Sequence, residues 1–521
     1  MTLTDAGTAW TNTGGQVTVG DAGTGTLTVD NDAILSNSGN ETIVANSGTG
    51  TLTVSGGGQL SDANAFIANS AGSTGTATVT GSGSQWNNSG NLNVGNSGTG
   101  TLTVSSGGVV SNAAGFVGVN AGFTGTLTVS GAGSQWNNSG GVSVGVSGQG
   151  TVTLNTGAAG FAGGVLEFGV NTGSTGTMTL TDAGTAWENN NQKIIVGDAG
   201  TGTLKIQNGA ALLDSGALTV GNYGKGTLSL SGGSQLTSPI ATIAVNNGST
   251  GGVTVNGAGS WWNVQSQLTV GYDGKGTLGI SNKALVTAAV ADVGLFGDAV
   301  GKVTVSGTGS FFQVASQLIL GYSGQGSMSV SSGGLASDAA GYVGYQGGSG
   351  MATVSGSGSR WTNGATLDIG TNGTGTLTVS SGGLASAGTL TNPGTITIGT
   401  YGTVHATGGT LQGTVVNHGV FDQLGTVTIN GDYTQGVDGT LILDVAGTGA
   451  GELGQLDVSG NAIFGGTIDF DFINGFAPTQ GDSFDFINIL GSADFSSATL
   501  DIGGLLPGFD YTDSFQNGQF T

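Results

Sequence analysis

GTLTVSSGGVVSNAAGFVGVNAGFTG, from Gly100 to Gly125, is one copy of a unit that the chain repeats from end to end. Its opening tetrad returns as TLTV at Thr26, Thr51, Thr101, Thr126 and Thr376, as TATV at Thr76 and as TVTL at Thr151. Weaker copies begin near Gly251, Thr277, Lys302, Ser327 and Met351, giving about fifteen in a row. Self-similarity at a fixed period, here about 25 residues, marks a repeat architecture. In these tetrads threonine alternates with an apolar residue, mostly Leu or Val, the period of two that one buried strand face imposes. A second short segment carries a large residue, as in SQWNN around Trp86 and Trp136 or GQLSD around Leu60. A third is apolar and runs into a Gly-Asn-x-Gly or Gly-Asp-x-Gly turn, as at Gly20, Gly95 and Gly197. Gly, Asn and Asp tolerate the positive φ that such turns require.

Three short strands and three turns in one such unit amount to one coil of a single-stranded parallel β-helix (β-solenoid). A propeller blade needs about 40 residues. Parallel crossovers are overwhelmingly right-handed, so the fold expected is all-β and right-handed. Glycine is 109 of 521 residues and threonine fills the tetrads; both are poor in helix interiors. Stacking in register predicts one internal ladder of Leu27, Leu52, Leu102 and Leu127 and another of Val29, Val54, Val104 and Val129. The second segments run Trp10, Leu35, Leu60, Trp86, Val110, Trp136, so aromatic rungs alternate with aliphatic ones. Large beside small lets the layers of a narrow core interdigitate.

The regular coils are expected over residues 1–390. Near Ala387 the Gly-Thr openings close up to half the earlier spacing or less, at Gly394, Gly402, Gly413 and Gly425, which reads as fractions of a coil. From Asp432 the text turns acidic and aromatic, and Phe464, Phe470, Phe472, Phe484 and Phe486 suit a wider closing element. Residues 391–521 are therefore expected to form a modified C-terminal solenoid extension or cap. Met1 falls inside a tetrad whose twin is Met178–Trp187, so an open N-terminal rung and end-to-end self-association are expected.

Seven Lys and Arg oppose 30 Asp and Glu, for a net charge of −23, and all seven lie between Lys193 and Arg360. That balance argues against nucleic acid, where neutralised phosphates supply most of the affinity, and against anionic lipid. Cysteine is absent, which excludes disulfides and thiolate metal sites. No apolar run is long enough to span a bilayer as a helix.

Candidate sites follow from the repeat. The outward threonines Thr26 and Thr28, Thr51 and Thr53, Thr101 and Thr103, Thr126 and Thr128 predict two parallel hydroxyl files, a face suited to ice or a crystalline polymer. The files decay to Lys205, Ser229, Gly279 and Lys302 further on. Tryptophans that alternate with leucine at one position read as core. In the doublets Trp261-Trp262 and Phe311-Phe312 one ring must face each way, which makes Trp261 and Phe311 the candidate exposed aromatics. Asp21, Asn46, Asn96 and Asp198 sit at turns, where turn chemistry accounts for them better than calcium does. His405 and His418, with Asp422 nearby, are the only histidines, and no metal site is expected of them. Acids fall singly, as Asp5, Asp62, Glu167 and Asp214 do, and Asp469 with Asp471 reads as solvated surface. Glycoside hydrolysis needs two carboxylates facing one cleft, so no enzyme and no cofactor are expected.

The repeat GTLTVSGGGQLSD (Gly50–Asp62) and GTATVTGSGSQWNNSGNLNVGNSGTG (Gly75–Gly100) resembles the repeat of bacterial autotransporter (type V secreted) passengers and PEP-CTERM-associated proteins. The tail, with GTLILDVAG (Gly439–Gly447), GQLDVSGNAIFGGTIDF (Gly454–Phe470) and GFAPTQGDSFDFI (Gly475–Ile487), resembles the passenger end in the same families. The resemblance implies a secreted or cell-surface β-helix, structural or adhesive, attached to the outer membrane through other segments. Host or neighbouring cell surfaces, glycan or extracellular matrix are the partners it implies. The sequence carries neither a membrane β-barrel nor a Pro-Glu-Pro sorting segment.

Overall fold

The computed structural model describes residues 1–521 except 191, 214–215, 371, 382, 390–391, 394, 450, 506–513, 517 and 521. Two compact units divide the chain, Met1–Gln265 and Ser266–Thr521. Each is an all-β parallel solenoid, and no helix occurs among the described residues.

In the first unit the tetrads stack as expected: Leu27 pairs with Leu52 and Val29 with Val54, and Leu102 pairs with Leu127 and Val104 with Val129. These side chains are at most 2% exposed. Burying each Leu or Val stabilises by about 1.5–3 kcal/mol, but only while a neighbouring rung covers it. The Leu ladder passes through Ala77, whereas Val79 keeps the Val ladder unbroken. At the third turn the chain bends through Gly95 (φ 69°) and Gly197 (φ 78°). Ala45 (φ 67°) and Ala68 (φ 60°) hold the corresponding place in two rungs and bear the strain of a Cβ in the left-handed region.

Trp86, Trp136 and Trp187 are fully buried on the second strand. Trp86 lies between Leu60 and Val110 in the register, and Trp136 between Val110 and Gly160. Gly160 in turn pairs with Trp187, so glycine separates two indoles whose ring centres are 5.9 Å apart, edge to face. A Cβ on Gly160 would overlap the Trp187 ring. This is the limiting case of large beside small.

Some rungs have two strands where three were expected. Gln235–Ile243 in the first unit, and Leu285–Val293, Phe311–Leu320, Leu335–Val343 and Arg360–Ile369 in the second, each run the second and third segments together. Register shifts, such as that between Ala288 and Val290, take up the bend. The cause is local: the Asn-Ser-Gly turn at Asn88–Gly90 is absent from these rungs, where stretches such as Thr287–Ala291 stay extended.

Past Thr395 in the second unit the coil shortens but remains whole, which corrects the expectation of partial coils. Thr403 pairs with Val420 and Val415 with Tyr433, so those intervals are complete rungs. The rung lengthens again where Thr440 pairs with Thr467. Phe464, Phe470, Phe472 and Phe486 are buried and Phe484 is half-buried. Phe464 stacks on Phe495 at 4.4 Å, and Phe470 meets Phe486 at 4.3 Å. At Ile487 the pairing turns antiparallel, against Phe520.

Gly160→Ala is expected to lower thermal stability by about 1–3 kcal/mol, the usual cost of overpacking a tight core. Gly279→Ala, where no atom lies within 4 Å of the added methyl, should leave it unchanged or slightly raised. Equal melting shifts would mean that the Trp136–Gly160–Trp187 sandwich is looser than described.

Candidate functional site

Three groups of side chains carry possible function, and each grows out of the stacking. The first is the threonine face of the first unit. Thr26 pairs with Thr51 and Thr28 with Thr53, and the rows continue through Thr76 and Thr78 to Thr101 and Thr103 and on to Thr126 and Thr128. Thr26 and Thr76 are exposed and the others half-buried, so the hydroxyls line an open face. The first row stays threonine as far as Thr227; the second breaks at Lys205.

The second group is internal. Each buried indole looks down to the rung before it, at the residue two places after its register partner. Trp86 donates Nε1–H to Asp62 at 2.9 Å and Trp136 to Asn112 at 2.9 Å. Trp262 donates to Ser238 at 3.3 Å and, in the second unit, Trp361 to Asp338 at 2.7 Å. For Trp187 the same place holds Ala162, and its Nε1 is buried without a partner. Asp62 is thus no solitary surface acid, as its sequence context suggested, but a core acceptor; Asp214 lies outside the described residues. Burial pushes the Asp62 carboxyl from 3.8 up to about 7 against the opposing pull of the indole N–H, and does the same to Asp338.

The turn residues weighed for calcium form a hydrogen-bonded ladder instead. Asn46 donates to Asp21 at 2.7 Å, Asn69 to Asn46 at 3.0 Å and Asn96 to Asn69 at 3.0 Å, while Asn222 donates to Asp198 at 2.6 Å. His405 and His418 do not converge. Nδ1 of His405 meets Asp422 at 2.7 Å and Nδ1 of His418 meets Asp438 at 2.7 Å, two separate exposed pairs. Asp469 and Asp471, expected to be solvated, are half-buried, and Asp469 Oδ1 has no hydrogen-bond partner. They belong to an acidic patch spread over two neighbouring register columns, Asp471 pairing with Asp444 and Asp469 with Asp501. Partial burial, followed by repulsion from Asp422, Asp471 and Asp469, raises the Asp444 carboxyl to about 6.

The third group lies on the second-strand face of the second unit. Leu285, Phe311, Leu335 and Arg360 occupy successive places in one register column. Phe311 is half-buried and Phe312 fully buried, the split that the doublet requires; Trp261 and Trp262 divide alike in the first unit. Phe311, Leu335 and Arg360 line an open groove of about 550 Å³, with Ser337 and Thr362 beside them. Sequence reasoning passed over Arg360, although it is the only arginine, and over a set of turn aromatics. Tyr272 meets Phe296 at 4.7 Å and Tyr322 meets Tyr345 at 5.4 Å, with Tyr272 and Phe296 exposed. The Gly-Tyr-x-Gly turns at Gly271, Gly321 and Gly344 were the available signal.

No family model and no curated protein matches the chain. Among solved structures it is similar to the "TibC-catalyzed hyper-glycosylated TibA55-350 fragment", at 15% identity and a TM-score of 0.18, over 82% of this chain and 96% of that one. The class defined by the coordinates is the parallel β-solenoid.

The indole acceptors make stability depend on pH. The folded chain holds the Asp62 and Asp338 protons up to about pH 7, whereas an unfolded chain releases them near 3.8. Folding therefore takes up protons between these values, and stability falls as pH rises from about 4 through 7. The loss is on the order of 4 kcal/mol for each group as a ceiling. Asp62→Asn and Asp338→Asn, which copy the Asn112–Trp136 pair, should flatten the pH dependence of the melting midpoint and raise it at pH 8; an unchanged profile would place the titration elsewhere. Ala162→Ser should raise stability by about 0.5–1.5 kcal/mol by giving Trp187 its acceptor, measured by denaturant melts against the wild type.

Proposed function

We propose that the chain is a non-catalytic structural or adhesive solenoid of a bacterial cell surface, displayed outside the cell and joined to the envelope through other segments. The observation that carries this reading is the stacking itself. It spends the chain on long open faces bearing rows of one side chain, which suit contact with an extended partner such as a host surface, a glycan or matrix. The acids support it as well. Asp62 and Asp338 sit beneath indoles, and Asp444, Asp469 and Asp471 share one sheet face rather than facing each other across a cleft.

The threonine files favour a second reading, in which that face of the first unit grips a crystalline polymer such as cellulose, chitin or ice. Its requirement is a regular hydroxyl lattice, and the rows from Thr26 to Thr128 provide one.

Display of the chain on a non-adherent bacterium is expected to raise attachment to epithelial cells or biofilm mass several-fold, with the protein open to added protease. Binding to microcrystalline cellulose that Thr103→Lys abolishes would select the second reading. New reducing ends or unsaturated products from pectin, alginate or similar polymers would overturn the non-catalytic reading.

A further inference from the structure

The chain is acidic on either side of the stretch from Lys193 to Arg360, which holds all seven of its Lys and Arg against six acids. Between Ser266 and Arg360, four lysine and arginine residues face four aspartates. Two of those aspartates, Asp292 and Asp338, are buried, and burial raises both carboxyls. From Trp361 to the C-terminus there are fifteen acids and no Lys or Arg. The groove on the second-strand face of the second unit lies inside the balanced window. Its floor is the half-buried pair Phe311 and Leu335, adjacent in the register. Arg360 follows at the next rung, exposed, with no carboxylate within 4.0 Å of its guanidinium among the described residues. At the other end Lys283, also exposed, lies in the turn beneath Gly309, its Cγ 3.2 Å from where a Cβ on Gly309 would sit. Three rungs separate the two cations, roughly 14 Å at the usual strand spacing. Ser337 and Thr362 present outward hydroxyls beside the floor.

We propose that this groove is a binding site for a carboxylated oligosaccharide. The Phe311 and Leu335 floor would take the C–H face of a sugar ring. Arg360 would hold a carboxylate through its planar fork of donors, with Lys283 meeting a second carboxylate further along, and Ser337 and Thr362 exchanging hydrogen bonds with ring hydroxyls. An extended acidic peptide fits less well. Peptides bind sheets through main-chain hydrogen bonds at a free edge, whereas the strands under this groove are paired on both sides, Phe311–Leu320 with Leu285–Val293 and with Leu335–Val343. Recognition is left to side chains. The net charge of −23 does not forbid an anionic ligand, because at physiological ionic strength charges beyond about 8 Å are largely screened. The inference deepens the adhesive reading and rests on it for the biological setting alone.

The test is calorimetric titration of the full chain with oligogalacturonate, with its neutral methyl ester and with a polyglutamate peptide. The acid sugar is expected to bind, more weakly as salt rises, and the ester at least about tenfold more weakly, as loss of a charge-assisted pair predicts. Arg360→Gln should cost about the same factor, and Phe311→Thr should weaken acid and ester alike. Lys302→Gln, on the first-strand face, should change nothing. No binding by the wild type, equal affinity for the ester, equal or tighter binding of polyglutamate, or equal losses in Arg360→Gln and Lys302→Gln would each overturn the proposal. Should Phe311→Thr lose its β-sheet dichroism, the exposed Arg360→Gln still decides between binding modes. A displayed chain that promotes attachment yet ignores oligogalacturonate defeats this inference alone; one that binds the sugar without promoting attachment defeats the adhesive reading alone.

Discussion

Every part of this molecule depends on parallel stacking in register, which sets each residue directly over its counterpart one rung away. For aliphatic side chains the arrangement is favourable: Val29, Val54, Val79, Val104 and Val129 make one continuous buried column. No rung could keep that burial alone, so stability grows by neighbour interactions along the chain. For other side chains the same arrangement is a difficulty that the sequence must answer rung by rung. Indoles stacked directly would overfill the core, and like charges stacked directly repel.

The answers differ by chemistry. Bulk is answered by alternation, carried to its limit at Gly160, where a residue with no side chain separates Trp136 from Trp187. Buried polarity is answered vertically. An indole N–H cannot find a partner sideways in an apolar layer, so its acceptor comes from the rung below, as Asp62, Asn112, Ser238 or Asp338. Asparagine and serine do this without ionising. The two aspartates do it only by holding their protons well above the usual carboxylate range. Turn asparagines solve the same problem at the edge, each amide donating to the one beneath.

What the sequence disclosed follows this division. The ladders, the buried tryptophans and the outward side of each aromatic doublet were legible because they depend on period and alternation alone. The indole acceptors were not. Asp62 stands a full rung before Trp86, a separation that means nothing until the register is known. The fused strands of the later rungs were missed because the loss of a turn signal is quieter than its presence. The short coils after Thr395 were read as partial because their spacing falls well below that of the earlier rungs, and only the register shows that each still closes a full turn. Asp469 and Asp471 look solvated as an alternating pair; their burial comes from the strands carrying Asp444 and Asp501 on either side.

Charge is subject to the same constraint. Carboxylates gathered on a sheet face gain affinity for protons through partial burial and then through mutual repulsion, as Asp444 shows, and so resist gathering more charge. Acids can be numerous in this chain only where they are spread among turns or partly neutralised by their neighbours. Arg360 makes no ion pair among the described residues, in a stretch where acids are few and two of those few are buried. Its position beside Phe311 and Leu335 keeps that charge available to something outside the chain, and a solenoid with open faces meets its surroundings at such places.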